Sequence, residues 1–169
     1  MEINKDYTII DNFLDKEIFL NIKNTMQEVD FPWFLQKKIN DNHNINDFTC
    51  YFTHRFFYQV DNNFHVSNLF NLVIPIIIKL NIFKLIRIKG NVYPYTKEKM
   101  THEKHIDYDF ENKGAIFYIN TNDGNTILGD NIEINSIENR LLLFNPRIPH
   151  SSTSTTDSKF RMNINFNYL

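Results

Sequence analysis

Near the start of the chain, apolar residues recur at helical spacing. Ile18, Phe19, Ile22 and Met26 fall on one face of a stretch from Asp15 to about Val29, which predicts an amphipathic supporting helix. Ahead of it, Tyr7–Asp11 is a short β-prone run. Phe48–Val60 is aromatic and β-branched without Gly or Pro, the composition of a strand, and the polar segment Asn40–Asp47 before it reads as a loop. The most apolar run, Leu69–Ile86, is broken by Asn71, Pro75, Lys79, Asn81 and Lys84. Each lysine would cost about 2.5–3.5 kcal/mol at the centre of a bilayer, so the run predicts a buried helix and no membrane association. Ser67 is placed to cap that helix as it runs toward Leu80, and Pro75 must either kink it or open a new first turn.

From Lys84 the period shortens. The runs LIRIKGNVY, GAIFYIN, NTIL, IEIN, NRLLLF and FRMNINFNYL are separated by turn-forming residues at Asn122–Asn125, Gly129–Asn131 and Asn145–Pro146, the texture of a sandwich or barrel. In the last run Phe160, Met162, Ile164, Phe166 and Tyr168 share one face, while Arg161, Asn163, Asn165 and Asn167 share the other. No repeat, linker or low-complexity tract interrupts the chain. Its 169 residues amount to one domain, 1–169, with 1–83 as helical and strand support and 84–169 as the β-rich half.

Composition narrows the class. The single cysteine, Cys50, excludes an intramolecular disulfide framework and a Cys-rich zinc module, and it points to a reducing, cytoplasmic setting. The first residues carry acids and amides where a signal peptide needs a continuous apolar stretch. With 18 basic and 20 acidic residues the chain lacks the basic field that drives binding to DNA or anionic membranes, so nucleic acid is a disfavoured partner.

The candidate chemistry lies in the β-rich half. His105 and Asp107 flank one residue, which on a strand puts both on one face, and His150 follows a later strand-like run. Two histidines and one carboxylate are the ligand set of a facial triad, which leaves three positions of an octahedral metal open and suits non-haem Fe(II) better than a closed zinc site. A solvated loop is the plain alternative for an isolated His-x-Asp. Three residues before His105, His102 falls on the opposite face of an extended segment and is expected in a loop or at the surface. Asp109 shares parity with Asp107 and is expected at a solvated edge.

Taken in order, VYPYTKEKMTHEKHIDYD, AIFYIN, NRLLLFNPRIPH and KFRMNINFNY resemble the Fe(II)- and 2-oxoglutarate-dependent dioxygenases, the prolyl-hydroxylase-like branch in particular. The resemblance covers about half the chain, from about Arg87 onward. It implies a mainly β fold, a double-stranded β-helix (jelly-roll) barrel with helices packed on one side. It also implies that His105, Asp107 and His150 bind iron and that Arg161 grips the distal carboxylate of 2-oxoglutarate, a task suited to the parallel donors of a guanidinium. Tyr118 would donate to the same carboxylate, and Tyr93 with Asn91 would line the co-substrate pocket. The polar face of the last run would then point inward, bringing Asn163 toward the co-substrate and Asn165 toward substrate. Trp33, His54, Arg55 and Arg147 are candidates for the substrate mouth.

The implied reaction consumes 2-oxoglutarate and O2, with ascorbate as a candidate reductant, and hydroxylates an unactivated C–H bond with release of succinate and CO2. A carboxylate at Asp107 leaves no room for a halide, which favours hydroxylation over halogenation. A peptidyl (prolyl among the candidates), amino-acid, protein or small-molecule substrate is expected, and the protein itself is expected as a monomer or weak dimer. Two alternatives stand beside it: a nucleic-acid demethylase, suggested by Asn91–Val92–Tyr93, and a non-catalytic jelly-roll binding module. The first usually carries a second arginine shortly after the first, and none follows Arg161.

Overall fold

The structure is a computed structural model describing residues 2–3, 7–36, 50–61 and 63–169. In chain order its elements are β1 (Glu2–Ile3), β2 (Tyr7–Ile10), α1 (Lys16–Gln27), β3 (Phe34–Gln36), β4 (Tyr51–Val60) and β5 (Asn63–Val66). A 3-10 turn (Phe70–Val73), α2 (Ile74–Lys79), β6 (Leu85–Pro94) and β7 (Lys113–Tyr118) follow. The chain ends through β8 (Asn125–Leu128), β9 (Ile132–Asn135), β10 (Leu141–Phe144), β11 (His150–Ser152) and β12 (Phe160–Tyr168). The loop expected at Asn40–Asp47 and the expected strand start at Phe48 lie outside the described residues.

These strands form two antiparallel layers. The larger sheet has nine strands in the order β1-β2-β10-β7-β12-β6-β4-β3, with β5 paired to β4, and the smaller has the order β11-β8-β9. Single bridges, Thr101 to Thr153 and His105 to His150, lay the segment before β7 along β11 as a further row of the smaller sheet.

Strand β12 sits between β6 and β7 and is buried on both faces. Its apolar side chains Met162, Ile164, Phe166 and Tyr168 join Phe19, Ile22 and Met26 of α1 and Ile76 of α2 in the main core. Phe117 of β7 lies within that core, meeting Phe13 and Phe19 edge-on with ring centroids 6.0 and 6.1 Å away. A second, smaller core of Ile116, Tyr118, Leu128, Ile134, Leu142 and Phe144 fills the space between the sheets. The polar face of β12 looks into that same space, as the inward reading expected. The fold is therefore mainly β, a jelly-roll with its helices on one side.

Several local expectations are corrected. Ile18 is 39% exposed, because it lies at the edge of the stripe centred on Phe19, Ile22 and Met26. The helix expected from Ser67 is split, and Pro75 marks the first turn of α2 where its missing N–H costs nothing. Ser67 Oγ accepts from the Leu69 amide (3.0 Å) and so shapes the 3-10 turn instead. Gly129, at φ +59°, supplies the left-handed residue of the β8–β9 turn expected there. Among the described residues no helix is long and apolar enough to cross a membrane.

Phe117 is fully buried at the junction of β7 and α1, so Phe117→Ala should lower unfolding free energy by about 3–5 kcal/mol, read from urea denaturation.

Candidate metal centre

His150 is the first residue of β11, and His105 pairs with it: each backbone amide donates to the other's carbonyl at 2.9 Å. This pairing brings together residues distant in sequence and fixes both rings on one side of the smaller sheet, with centroids 4.7 Å apart. His150 Nδ1 donates to the Ile148 carbonyl at 2.9 Å, and His105 Nδ1 reaches the Glu103 carbonyl at 3.4 Å. A carbonyl only accepts, so Nδ1 carries the proton and the lone pair of Nε2 faces the site. Asp107 completes the group, with Oδ1 at 4.0 Å from His105 Nε2 and Oδ2 at 3.8 Å from His150 Nε2. One ligand atom from each lies within 4.8 Å of the others, close enough to converge on one divalent ion.

His105 and Asp107 lie in an irregular segment held by isolated bridges, not on the regular strand that parity assumed. What orients Asp107 instead is the larger sheet. Arg87 of β6 donates to Asp107 Oδ1 at 2.6 Å, and Asn167 of β12 donates to Oδ2 at 2.9 Å. Arg87 also reaches Asn167 Oδ1 at 2.9 Å, closing a three-residue ring. Burial resists ionisation of Asp107, but the charge of Arg87 with the Asn167 and Arg87 hydrogen bonds outweighs it and holds the carboxyl well below its usual range. Burial, and then the neighbouring His150, lowers the His105 pKa, favouring the neutral ligand form.

Arg161 sits across the same cavity and has no exposed surface. Its Nε donates to Ser136 Oγ and one terminal nitrogen, Nη2, to Thr126 Oγ1, both at 2.9 Å. The other, Nη1, has no partner among the described residues. Tyr93 and Tyr118 present their rings to the guanidinium at 5.4 and 5.9 Å, and the Tyr118 hydroxyl donates to Thr126 Oγ1 at 2.8 Å. Burial raises the pKa of both phenols, so they remain neutral donors. No carboxylate among the described residues pairs with it, and a buried guanidinium with a free donor is suited to receive an anion. Gly124 makes the fit possible: a Cβ there would lie 2.5 Å from Arg161 Cδ and 2.8 Å from the Ser154 carbonyl oxygen.

Between the two poles lie Asn91 and Asn163, joined by a 2.9 Å bond, and Asn165, whose Nδ2 is 3.5 Å from Asp107 Oδ2. The side-chain Oδ1 atoms of Asn91 and Asn165 are buried without partners among the described residues. Lys89 also lines the cavity. Burial, with Arg87 beside it, pushes its pKa down to about 7 against the pull of Asp107.

No protein-family model matches the sequence, and no curated protein matches it. Solved structures do. A Trichoplax adhaerens prolyl hydroxylase, in complex with a hypoxia inducible factor oxygen degradation domain peptide, matches at TM-score 0.63 and 18% identity, over 98% of this chain and 84% of that one. A 2OG-Fe(II) oxygenase family oxidoreductase from Burkholderia pseudomallei matches at TM-score 0.69 and 9% identity, over 96% and 84%. A Pseudomonas putida prolyl-4-hydroxylase matches at TM-score 0.57 and 11% identity, over 96% and 91%. The chain has the 2-oxoglutarate oxygenase fold.

Within that fold the cavity gathers His105, Asp107, His150, Arg161, Tyr93, Asn91, Asn163 and Asn165, while Tyr118 faces Arg161 from beside it. Four candidates for the mouth fall elsewhere. His54 is buried on the core side of β4, satisfied by the Pro32 carbonyl (3.0 Å) and Ser67 Oγ (2.8 Å). Trp33 donates to the Met26 carbonyl (3.2 Å) and packs on Phe31 and against Gly90 in the main core. Arg147 is exposed in the turn before β11. Arg55 lies over Tyr58 and, with His54, lines a separate cleft of about 580 Å³. His102 lies in the irregular segment before β7, as expected, but is half-buried there and stacked on Tyr93 with centroids 5.1 Å apart. Asp109 is exposed, as expected.

Arg87, Lys89, Thr126 and Ser136 were not foreseen. Arg87 and Lys89 share parity with Asn91 and Tyr93, so the reasoning applied to the last strand finds them on β6 as well.

Because the Asp107 pKa is depressed on folding, its contribution is complete above the unfolded value of about 4 and is lost as pH falls toward the folded one. Arg87→Met should cost about 1–3 kcal/mol at neutral pH and flatten the acid limb, measured as urea midpoint against pH on metal-free protein.

Proposed function

We propose that the protein is an Fe(II)- and 2-oxoglutarate-dependent oxygenase that hydroxylates an unactivated C–H bond of a peptidyl or amino-acid substrate. One observation carries the reading: a fully buried arginine with an unpaired donor shares a cavity with a convergent His-Asp-His group. A structural metal site has no need of such an arginine, and an anion site alone has no need of the triad.

His105, Asp107 and His150 would hold the metal, and Arg161 would take the distal carboxylate of 2-oxoglutarate. With co-substrate and O2, bound iron would supply oxidative decarboxylation to succinate and CO2 and transfer of oxygen to carbon. The chain's own residues bind and orient. Arg87 and Asn167 fix the Asp107 carboxylate before any ligand arrives. Thr126 and Ser136 hold the guanidinium in place, and Tyr93 and Tyr118 wall it from water. Supporting a peptide substrate, the Trichoplax adhaerens protein of this fold is seen with a peptide bound. Prolyl hydroxylation is the first activity to assay.

Succinate formation from 2-oxoglutarate with Fe(II), ascorbate and air should be slow without substrate and abolished in Asp107→Ala. If native protein forms none, and its metal-loaded form also fails to bind 2-oxoglutarate, the chain is a non-catalytic jelly-roll module. Arg161→Ala should weaken 2-oxoglutarate binding to the metal-loaded protein by about 2–5 kcal/mol, measured by calorimetry. Unchanged affinity would remove Arg161 from the co-substrate site.

A further inference from the structure

Lys89 and Arg55 are direct partners across the β4–β6 ladder, two like charges placed opposite one another. Such a pair is unfavourable in a sheet unless an anion shares it. Asp107, the carboxylate in the cavity lining, is already bonded by Arg87 and Asn167 and makes no ion pair with Lys89 or Arg55. The Lys89 ammonium enters the triad cavity, lies 5.7 Å over the Tyr51 ring, and has no hydrogen-bond or ion-pair partner among the described residues. It is also remote from the co-substrate arginine along the strands: Lys89 is level with Asn165, whereas Arg161 is level with Tyr93. Four residues of strand span about 13 Å, longer than a five-carbon diacid. The cavity thus has cations at two levels.

We propose that Lys89 anchors a carboxylate of the substrate, so that the substrate is an acid: a free or N-acylated amino acid, or a peptide with an acidic side chain. The inference rests on the oxygenase reading above and adds the substrate's charge.

Protein loaded with Ni(II) and 2-oxoglutarate, which binds without turnover, is titrated with two matched sets. One set is N-acetyl amino acids and their primary amides. The other is N-acetylated, C-amidated tripeptides carrying Glu or Gln beside Pro. In native protein the acids of one set should bind about tenfold or more tightly than the amides, a preference lost in Lys89→Met and kept in Lys89→Arg. The set that binds identifies the source of the carboxylate. Equal binding of acids and amides, binding of neither, or a preference unchanged in Lys89→Met overturns the proposal. So does a larger loss of 2-oxoglutarate affinity than of probe affinity in Lys89→Met, which would put the ammonium on the co-substrate. Failure of the oxygenase reading appears separately, as absent metal-dependent 2-oxoglutarate binding in the native protein before any probe is added.

Discussion

Strand β12 is held between hydrocarbon on one face and a polar cavity on the other, and that double burial leaves it a single register. A slip of one residue would drive Arg161 and its asparagines among the phenylalanines of the main core and bring Met162 and Ile164 into the cavity. The neighbouring strands inherit the constraint. Pairing with β6 sets Asn163 opposite Asn91 and Asn167 opposite Arg87, and pairing with β7 sets Asn163 opposite Tyr118. The polar lining of the cavity is thus fixed by the same packing that stabilises the helices on the far side.

Charge is distributed along the cavity with little self-compensation. Asp107 is the one carboxylate in its lining among the described residues, and Arg87 is aimed at it. Arg161 is balanced by neutral hydroxyls and aromatic faces, which satisfy its geometry without cancelling its charge. Burying a cation this way costs stability in the empty protein and is repaid by a bound anion. The two histidines are treated oppositely: backbone carbonyls fix their tautomers, so their free nitrogens present lone pairs rather than protons.

Much of this was legible in the sequence wherever a period could be read. The alternation from Phe160 to Tyr168 foretold a strand with one polar and one apolar face, and the spacing from Phe19 to Met26 foretold the packed face of α1. The triad and Arg161 stood out because of their order and neighbours, not because the local structure was foreseen; His105 and Asp107 lie in an irregular segment whose shape comes from pairing with β11. Strands of three or four residues such as β3, β5 and β11 are too short to display alternation. His54 and Trp33 were misplaced for a related reason. Nearness along the chain does not say which face of a sheet a side chain occupies, and both turned toward the helices, where their ring nitrogens found partners in the Pro32 and Met26 carbonyls.

The placement of β2 bears on how the chain reaches this state. Tyr7–Ile10 pairs with Leu141–Phe144, which in turn pairs with β7. Tyr7–Ile10 is synthesised well before Leu141–Phe144 and therefore waits for it, and the apolar edge of Ile9 and Ile10 stays uncovered meanwhile. Closure of the large sheet is a late, non-local event whose entropy must be met before its contacts form, the signature of slow folding. During synthesis, this edge is where a chaperone or another nascent chain would first find the protein unprotected.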